Sequence, residues 1–308
     1  MKIVFMGTPQ AAVPTLERIL EDGHRVVAVY TQPDRPSGRG NKITFSPVKE
    51  FAVAHGLPVF QPLKVKTAEA LEEFRSHNAD AAVVVAYGRI LPEGFLNAFP
   101  LGAINVHFSL LPKYRGAAPV NWAIVNGEEK TGVTTMKMDV GLDTGDMLLQ
   151  SETPIGEEET SVELMARLSL IGADLLSDTL KDLDKISPTT QDHTSATFAP
   201  ILKKEVGKFD WSMPAIEIEK RVRGFQPFPS TYTFLDGKRV TLWKARSDTV
   251  DGSFQPGTII AAYGDELSVS CGNATALSII ELQPEGKRRM TTRDFLNGTN
   301  LEAGSEWK

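Results

Sequence analysis

Three side chains have the types and spacing for acid–base and acyl chemistry: Asn105, His107 and Asp143. Asn105 and His107 stand two apart in the apolar run Ala103-Ile-Asn-Val-His107, so on a strand both face the same side. A core strand of an α/β sheet is nearly all apolar. Two buried hydrogen-bonding side chains on one face therefore cost free energy unless they find partners or do chemistry. Open α/β sheets take ligands just beyond the carboxyl ends of their strands, where this pair is expected. An imidazole serves as acid, base or cation near neutral pH. A carboxamide N–H can receive a developing oxyanion without changing charge. Asp143, in the loop Asp139-Val-Gly-Leu-Asp-Thr-Gly-Asp146, is placed to orient or charge the ring. Together they suit acyl transfer through a tetrahedral intermediate. A satisfied core His and Asn beside an ordinary Asp-Gly turn set is the plain alternative at this level.

No nucleophile pairs with the base. Ser109 lies two residues past His107 with no triad pattern around it, and Cys271, the only cysteine, falls in a distant β-rich region. Direct transfer to an external nucleophile is favoured over a covalent acyl-enzyme. His24, His55, His77, His107 and His193 are scattered without ligand spacing, so no metal is expected. One cysteine excludes an intramolecular disulfide.

The elements that must position these groups follow from periodicity. Strands are expected at 2–6, 26–30, 59–60, 79–86 and 103–107, with a pair at 132–138 and 147–155 flanking the aspartate loop. Helices are expected at 10–21, 47–55, 67–76, 93–97 and 118–126, with a long one opened by the capping box Thr160-x-x-Glu163. Alternating strands and helices predict a doubly wound α/β sheet. The first turn carries only Gly7, which speaks against a pyrophosphate site and a nucleotide-dependent oxidoreductase. Residues 31–47 read as one long loop rich in Pro and Gly, whose cations suit a phosphate. Residues 186–197 are polar and without period, as in a linker. Beyond a helix at 215–222, strands at 231–234, 240–245, 257–262, 267–270 and 276–282 suggest a β-barrel of about 100 residues, a type that often handles nucleic acid.

At 308 residues the chain can bury two cores. The net charge of −6 is segregated: Arg35, Arg39, Lys42 and Lys49 form one basic patch, and Lys203, Lys204, Lys208, Lys220, Arg221 and Arg223 another. No run reaches membrane-spanning length and the N-terminus has no signal-peptide core, so a cytoplasmic location is expected.

The segments Asn105-Val-His107, Ser109-Leu-Leu-Pro112, Arg115-Gly-Ala-Ala-Pro119 and the aspartate loop together resemble the folate-dependent formyltransferase family. The loop Thr31-Gln-Pro-Asp-Arg-Pro-Ser-Gly-Arg-Gly40 and the C-terminal β-region resemble the branch of that family whose acceptor is methionyl initiator tRNA. The resemblance spans essentially the whole chain. It implies a Rossmann-like, folate-binding catalytic domain (1–185), a linker (186–204) and an OB-fold-like tRNA-binding domain (205–308), working as a monomer with 10-formyltetrahydrofolate as formyl donor. Asn105, His107 and Asp143 would be catalytic. Ser109, Leu110, Leu111, Pro112, Tyr87, Ile90 and Leu91 would hold the folate, and Arg35, Arg39 and Lys42 would contact the tRNA. The rival within the family is a transferase acting on a sugar nucleotide or purine precursor, which needs neither basic loop nor β-domain. A non-catalytic tRNA-binding protein is disfavoured by the complete Asn-His-Asp set. Phe108 stands where the family pattern carries a smaller residue. On a strand it points away from Asn105 and His107, into the sheet's cover.

Overall fold

The computed structural model describes residues 1–37, 42–250, 252 and 254–307. The chain divides into two compact units: Met1–Pro119 with Lys130–Pro154 and Met165–Ala199, and Val120–Glu129 with Ile155–Leu164 and Pro200–Lys308. Up to residue 199 the elements are β1 (Lys2–Gly7), α1 (Val13–Glu21), β2 (Arg25–Tyr30), β3 (Arg35–Ser37), β4 (Lys42–Thr44), α2 (Pro47–Ala54), β5 (Val59–Phe60), α3 (Ala68–Ser76), β6 (Ala81–Val85), α4 (Glu93–Leu96), β7 (Ala103–His107), β8 (Arg115–Gly116), α5 (Pro119–Val125), β9 (Lys130–Lys137), β10 (Met147–Pro154), α6 (Ser161–Lys181) and β11 (Phe198–Ala199).

Seven strands make the first unit's sheet, in the order β10-β9-β7-β6-β1-β2-β5. β5, β2, β1, β6 and β7 run parallel, β9 runs antiparallel to β7, and β10 antiparallel to β9. The chain winds from β1 to one side, then returns to the other through β6 and β7, so the switch point lies between β1 and β6. The central parallel strand β6 is Ala-Ala-Val-Val-Val and buried at every position. The helices start where their caps dictate. The Ser46 hydroxyl accepts from Lys49 N at 3.1 Å ahead of α2, and that of Thr67 from Ala70 N at 3.2 Å ahead of α3. The capping box at Thr160 forms in both directions, with Glu163 Oε2 accepting from Thr160 N at 2.9 Å and Thr160 Oγ1 from Glu163 N at 3.4 Å.

α6 carries Gly172 in its interior because β7 and β9 press close there. A Cβ at Gly172 would stand 2.9 Å from Val106 Cγ1 and 3.4 Å from Phe108 Cε1 and Val133 Cγ1. Phe108 is thus packed under this helix, on the side opposite Asn105 and His107, as its position on the strand predicts.

Two expectations are corrected. Residues 31–47 are not one loop: β3 and β4 pair as an antiparallel hairpin, Arg35 opposite Thr44 and Ser37 opposite Lys42. Short alternating runs broken by Pro and Gly hid it from periodicity. Residues 186–197 are not a free tether either. Thr189 exchanges two backbone hydrogen bonds with Met147, Thr197 O accepts from Arg115 N at 2.9 Å, and β11 pairs with β8. Isolated bridges and a two-residue strand have no period to read.

The second unit holds α7 (Ala215–Gly224), β12 (Thr231–Leu235), β13 (Lys238–Thr249), β14 (Ile259–Tyr263), β15 (Glu266–Cys271), β16 (Thr275–Pro284), β17 (Met290–Thr291) and α8 (Thr292–Leu296). All five strands expected from the sequence are present. The sheet runs β12-β13-β16-β15-β14, with β17 on β16, and every pairing is antiparallel. β13 has register shifts between Leu242 and Ala245, and such bulges bend a strand and let a sheet curl. Leu242, Ile259, Val269, Leu277 and Leu282 pack with Ile218 and Val222 of α7 and Phe295 of α8 in one core. The architecture is a Rossmann-like α/β unit followed by a smaller barrel-like, OB-type β unit. Among the described residues no helix is long and apolar enough to cross a membrane.

Candidate active site

β7 delivers its two polar residues to the carboxyl end of the sheet. Both are buried, Asn105 at 8% and His107 at 6% exposure. On β9 they lie opposite Met136 and Thr134. His107 Nε2 donates to the Tyr114 carbonyl at 3.0 Å. Its Nδ1 stands 3.7 Å from Asp143 Oδ2, in a carboxylate that is 15% exposed. Both neighbours of the ring are acceptors, so only the imidazolium can donate to both. The Nε2 bond fixes the ring's orientation and leaves the Nδ1 edge facing Asp143. Asp143 Oδ2 also accepts from the Gly116 backbone N–H at 2.8 Å. Among the described residues the Asn105 carboxamide has no hydrogen-bond partner. An amide left in that state is a donor open to an incoming group.

Three non-glycine residues around this end hold positive φ: Ala86 (+47°), just past β6, Tyr114 (+60°) and Asp143 (+53°). Left-handed backbone costs about 1–3 kcal/mol at such residues and persists only where the surroundings impose it. Here it turns the Tyr114 carbonyl to the imidazole and Asp143 to the other side of the ring. Nothing in the residue types at 86 or 114 announces this.

The segment 109–112 serves mainly as buried scaffold. Ser109 Oγ donates to the Lys113 carbonyl at 2.7 Å, closing the turn. Thr134 Oγ1 donates to the Ser109 carbonyl at 2.7 Å and accepts from Leu111 N at 3.1 Å. Gln150 Nε2 donates to the Leu111 carbonyl at 2.9 Å. The Leu110 side chain fills the space left by Gly132, and Leu111 is buried, while Pro112 is half-buried. Tyr87 likewise turns its ring into the core, and its carbonyl accepts from Thr8 Oγ1 at 3.1 Å and Gln32 Nε2 at 3.0 Å. Ile90 differs: 73% exposed, it lines a cavity of about 470 Å³ with Leu91, Val65, Leu71 and, from the aspartate loop, Val140. An apolar slot of this kind suits a flat aromatic ligand.

The residues expected to meet nucleic acid are distributed unevenly. Arg35 is exposed at the start of β3, Lys42 opens β4, and Arg39 lies outside the described residues. Lys49 belongs to α2 and pairs with Asp34, while also donating to Gln61 Oε1 at 2.9 Å. Asp34 is held below the ordinary carboxylate range, first by its hydrogen bond from Lys49 and then by that from Gln61. In the second unit Arg223 pairs with Glu219 at 3.2 Å, whereas Lys203, Lys204 and Lys208 are exposed.

Residue type and spacing did not point to Tyr114, Gly116, Thr134 or Gln191. Gly116 and Tyr114 fall within or beside a quoted motif, but their contribution is made by backbone atoms, which residue types do not report. Gln191 lies in the segment expected to be a linker.

Comparison with known proteins agrees with this geometry. Residues 1–180 match the family model described as "Formyl transferase", and residues 201–300 match "Formyl transferase, C-terminal domain". A "Methionyl-tRNA formyltransferase" of Caldanaerobacter subterraneus subsp. tengcongensis is 51% identical over 308 residues, covering 99% of each chain. One of the same name from Citrifermentans bemidjiense is 51% identical over 306 residues, covering 99% of this chain and 95% of its own. Among solved structures, an N-formyltransferase of Helicobacter canadensis in complex with folinic acid and dTDP-3-aminofucose superposes with a TM-score of 0.65 over 92% of this chain and 99% of its own. At 19% identity that likeness speaks to the fold alone. With both domain models matched in chain order and half the residues shared end to end with such relatives, the chain belongs to the formyl transferase family.

Proposed function

We propose that this protein transfers the formyl group of 10-formyltetrahydrofolate to the α-amino group of methionine esterified to initiator tRNA, in the cytoplasm. The observation that carries this reading is full-length identity of about one half to relatives bearing that name. It is supported by the assembly of Asn105, His107 and Asp143 at one strand end.

The slot of Ile90, Leu91 and Val140 fits the flat rings of a folate, which supplies the formyl carbon on its N10. In the transfer the amine–carbon bond forms, the carbon–N10 bond breaks with its electron pair going to N10, and a proton moves from amine to N10. A free α-amino group has a pKa of about 7.7–8.0, so a useful fraction is neutral near pH 7. The Asn105 N–H receives the oxyanion of the tetrahedral intermediate. The Nδ1 edge of His107, with Asp143 beside it, accepts the amine proton and delivers it to N10. Gly116 N–H holds the carboxylate in place through Oδ2.

The test is formyl transfer from 10-formyltetrahydrofolate to charged initiator tRNA, with an elongator methionyl-tRNA and an amino sugar nucleotide as controls. Transfer to the initiator alone is expected. Transfer to neither tRNA would sink the reading.

A further inference from the structure

Gln191 is 2% exposed, and its carboxamide oxygen and both its amide hydrogens are bonded. The oxygen accepts from Arg115 Nε at 3.1 Å and Nη2 at 2.7 Å. That fixes which end of the amide is which, because a guanidinium only donates. The two amide hydrogens then go to the carbonyls of Asp143, at 2.9 Å, and Gly145, at 2.7 Å. Arg115 is itself buried at 4% exposure, and Nη2 donates to His193 Nδ1 at 3.0 Å. Among the described residues no carboxylate pairs with it. The chain spends a buried cation and a buried amide on holding two carbonyls of the aspartate loop, those of Asp143 and Gly145.

That loop needs an anchor. Asp143 is held at φ +53°, in a loop whose neighbouring side-chain bonds are local ones, such as Thr144 Oγ1 to Asp139 Oδ1 at 2.6 Å. Gly116 N–H steadies the carboxylate, but among the described residues only Gln191 grips the backbone on both sides of residue 144. We infer that Gln191 is a positioning residue for the transfer reaction: seated on Arg115, it holds Asp143 at the Nδ1 edge of His107. The inference rests on the reading of Asp143 as a catalytic group. It gives residues 186–199 a role in turnover.

The experiment is a double-mutant cycle on formyl transfer at saturating donor and tRNA, with thermal unfolding of each variant. Gln191→Met keeps the side chain's bulk and loses all of these bonds. Gln191→Glu keeps an acceptor for Arg115 but loses both donors to the loop. Each is expected to lower kcat by about tenfold to a hundredfold, the scale of an ångström-size misplacement of a catalytic group. KM for the tRNA stays within about twofold and the cooperative unfolding transition is retained. In an Asp143→Ala background either change lowers kcat by less than about twofold further, because residues acting as one unit are non-additive. A full additional loss in that background overturns the inference, as does wild-type kcat in both single variants while Asp143→Ala is impaired. If neither Gln191 variant folds, Gln191 is a stability residue and the inference is likewise overturned. Wild-type kcat in Asp143→Ala itself overturns the underlying reading instead.

Discussion

His107 Nδ1 and Asp143 Oδ2 stand 3.7 Å apart, while the other ring nitrogen is tied to the Tyr114 carbonyl at 3.0 Å. The ring is therefore anchored at one edge and open at the other, with a carboxylate waiting at the open edge. Asp143→Asn keeps the acceptor for Gly116 N–H and removes the charge. It is expected to lower kcat by about 10²-fold, the lower range for loss of a general acid–base partner, with little change in folate affinity. Steady-state kinetics at saturating substrates, with folate binding measured separately, checks it; kcat within twofold of wild type would remove the carboxylate from the proton path.

Asn105 offers an amide with no partner among the described residues, so its loss should act on the transition state. Asn105→Ala is expected to reduce kcat by about 10²–10³, the cost of removing one oxyanion donor, while KM for both substrates stays near wild type. A fall expressed only in KM would reassign Asn105 to substrate binding.

The cations of the hairpin should act through phosphates. Arg35→Ala and Lys42→Ala, singly and together, are expected to raise KM for the tRNA and leave folate binding unchanged. Every phosphate deprived of its cation should flatten the log–log salt dependence of tRNA binding by about 0.7–0.9. Binding isotherms at several salt concentrations read this directly, and an unchanged slope would mean these cations do not touch the nucleic acid. Arg39→Ala is expected to behave alike in the kinetic assay.

Gly172→Ala tests the seat of α6 on the strand that carries the site. Alanine gains about 1 kcal/mol in helix propensity, but its methyl would meet Val106 at 2.9 Å and Phe108 and Val133 at 3.4 Å. Overpacking of this kind costs about 1–3 kcal/mol, so a net loss of roughly 0–2 kcal/mol in urea unfolding is expected. A gain in stability would show that the helix can retreat freely.

The second unit carries a pH signal. Burial pushes the Cys271 thiol up to about 12. The folded state thus favours the protonated form, while an unfolded thiol ionises near about 8.5. Stability from this group is present in full below about pH 8.5 and is lost as pH rises towards about 12. Cys271→Ala should flatten the alkaline slope of unfolding free energy, and native Cys271 should resist alkylation until the protein is denatured. Rapid modification of the folded protein at about pH 8, close to the free thiol's pKa, would contradict the burial.

Much of the candidate site was legible in the sequence because it is written in side chains. Asn105 and His107 break the apolar run of a core strand at a spacing of two, and a period of two puts them on one face whatever the rest of the chain does. The same logic placed Phe108 on the opposite face, under α6. Every core strand of the first unit, and all five expected strands of the second, followed from apolar runs cut by turn residues. What no residue type announced was the backbone's part: left-handed Ala86, Tyr114 and Asp143, the Gly116 N–H on the carboxylate, and the Tyr114 carbonyl on the imidazole. Hydrogen bonds between a side chain and a distant main-chain atom leave no periodic trace. Gln191, 48 residues beyond the aspartate it grips, gains its meaning only from the bonds that tie residues 186–199 to β8 and the aspartate loop. The chemistry of the site was thus set by local sequence. Its geometry was decided by contacts between segments far apart in the chain, because orienting one imidazole and one carboxylate takes acceptors and donors that only tertiary packing can bring to them.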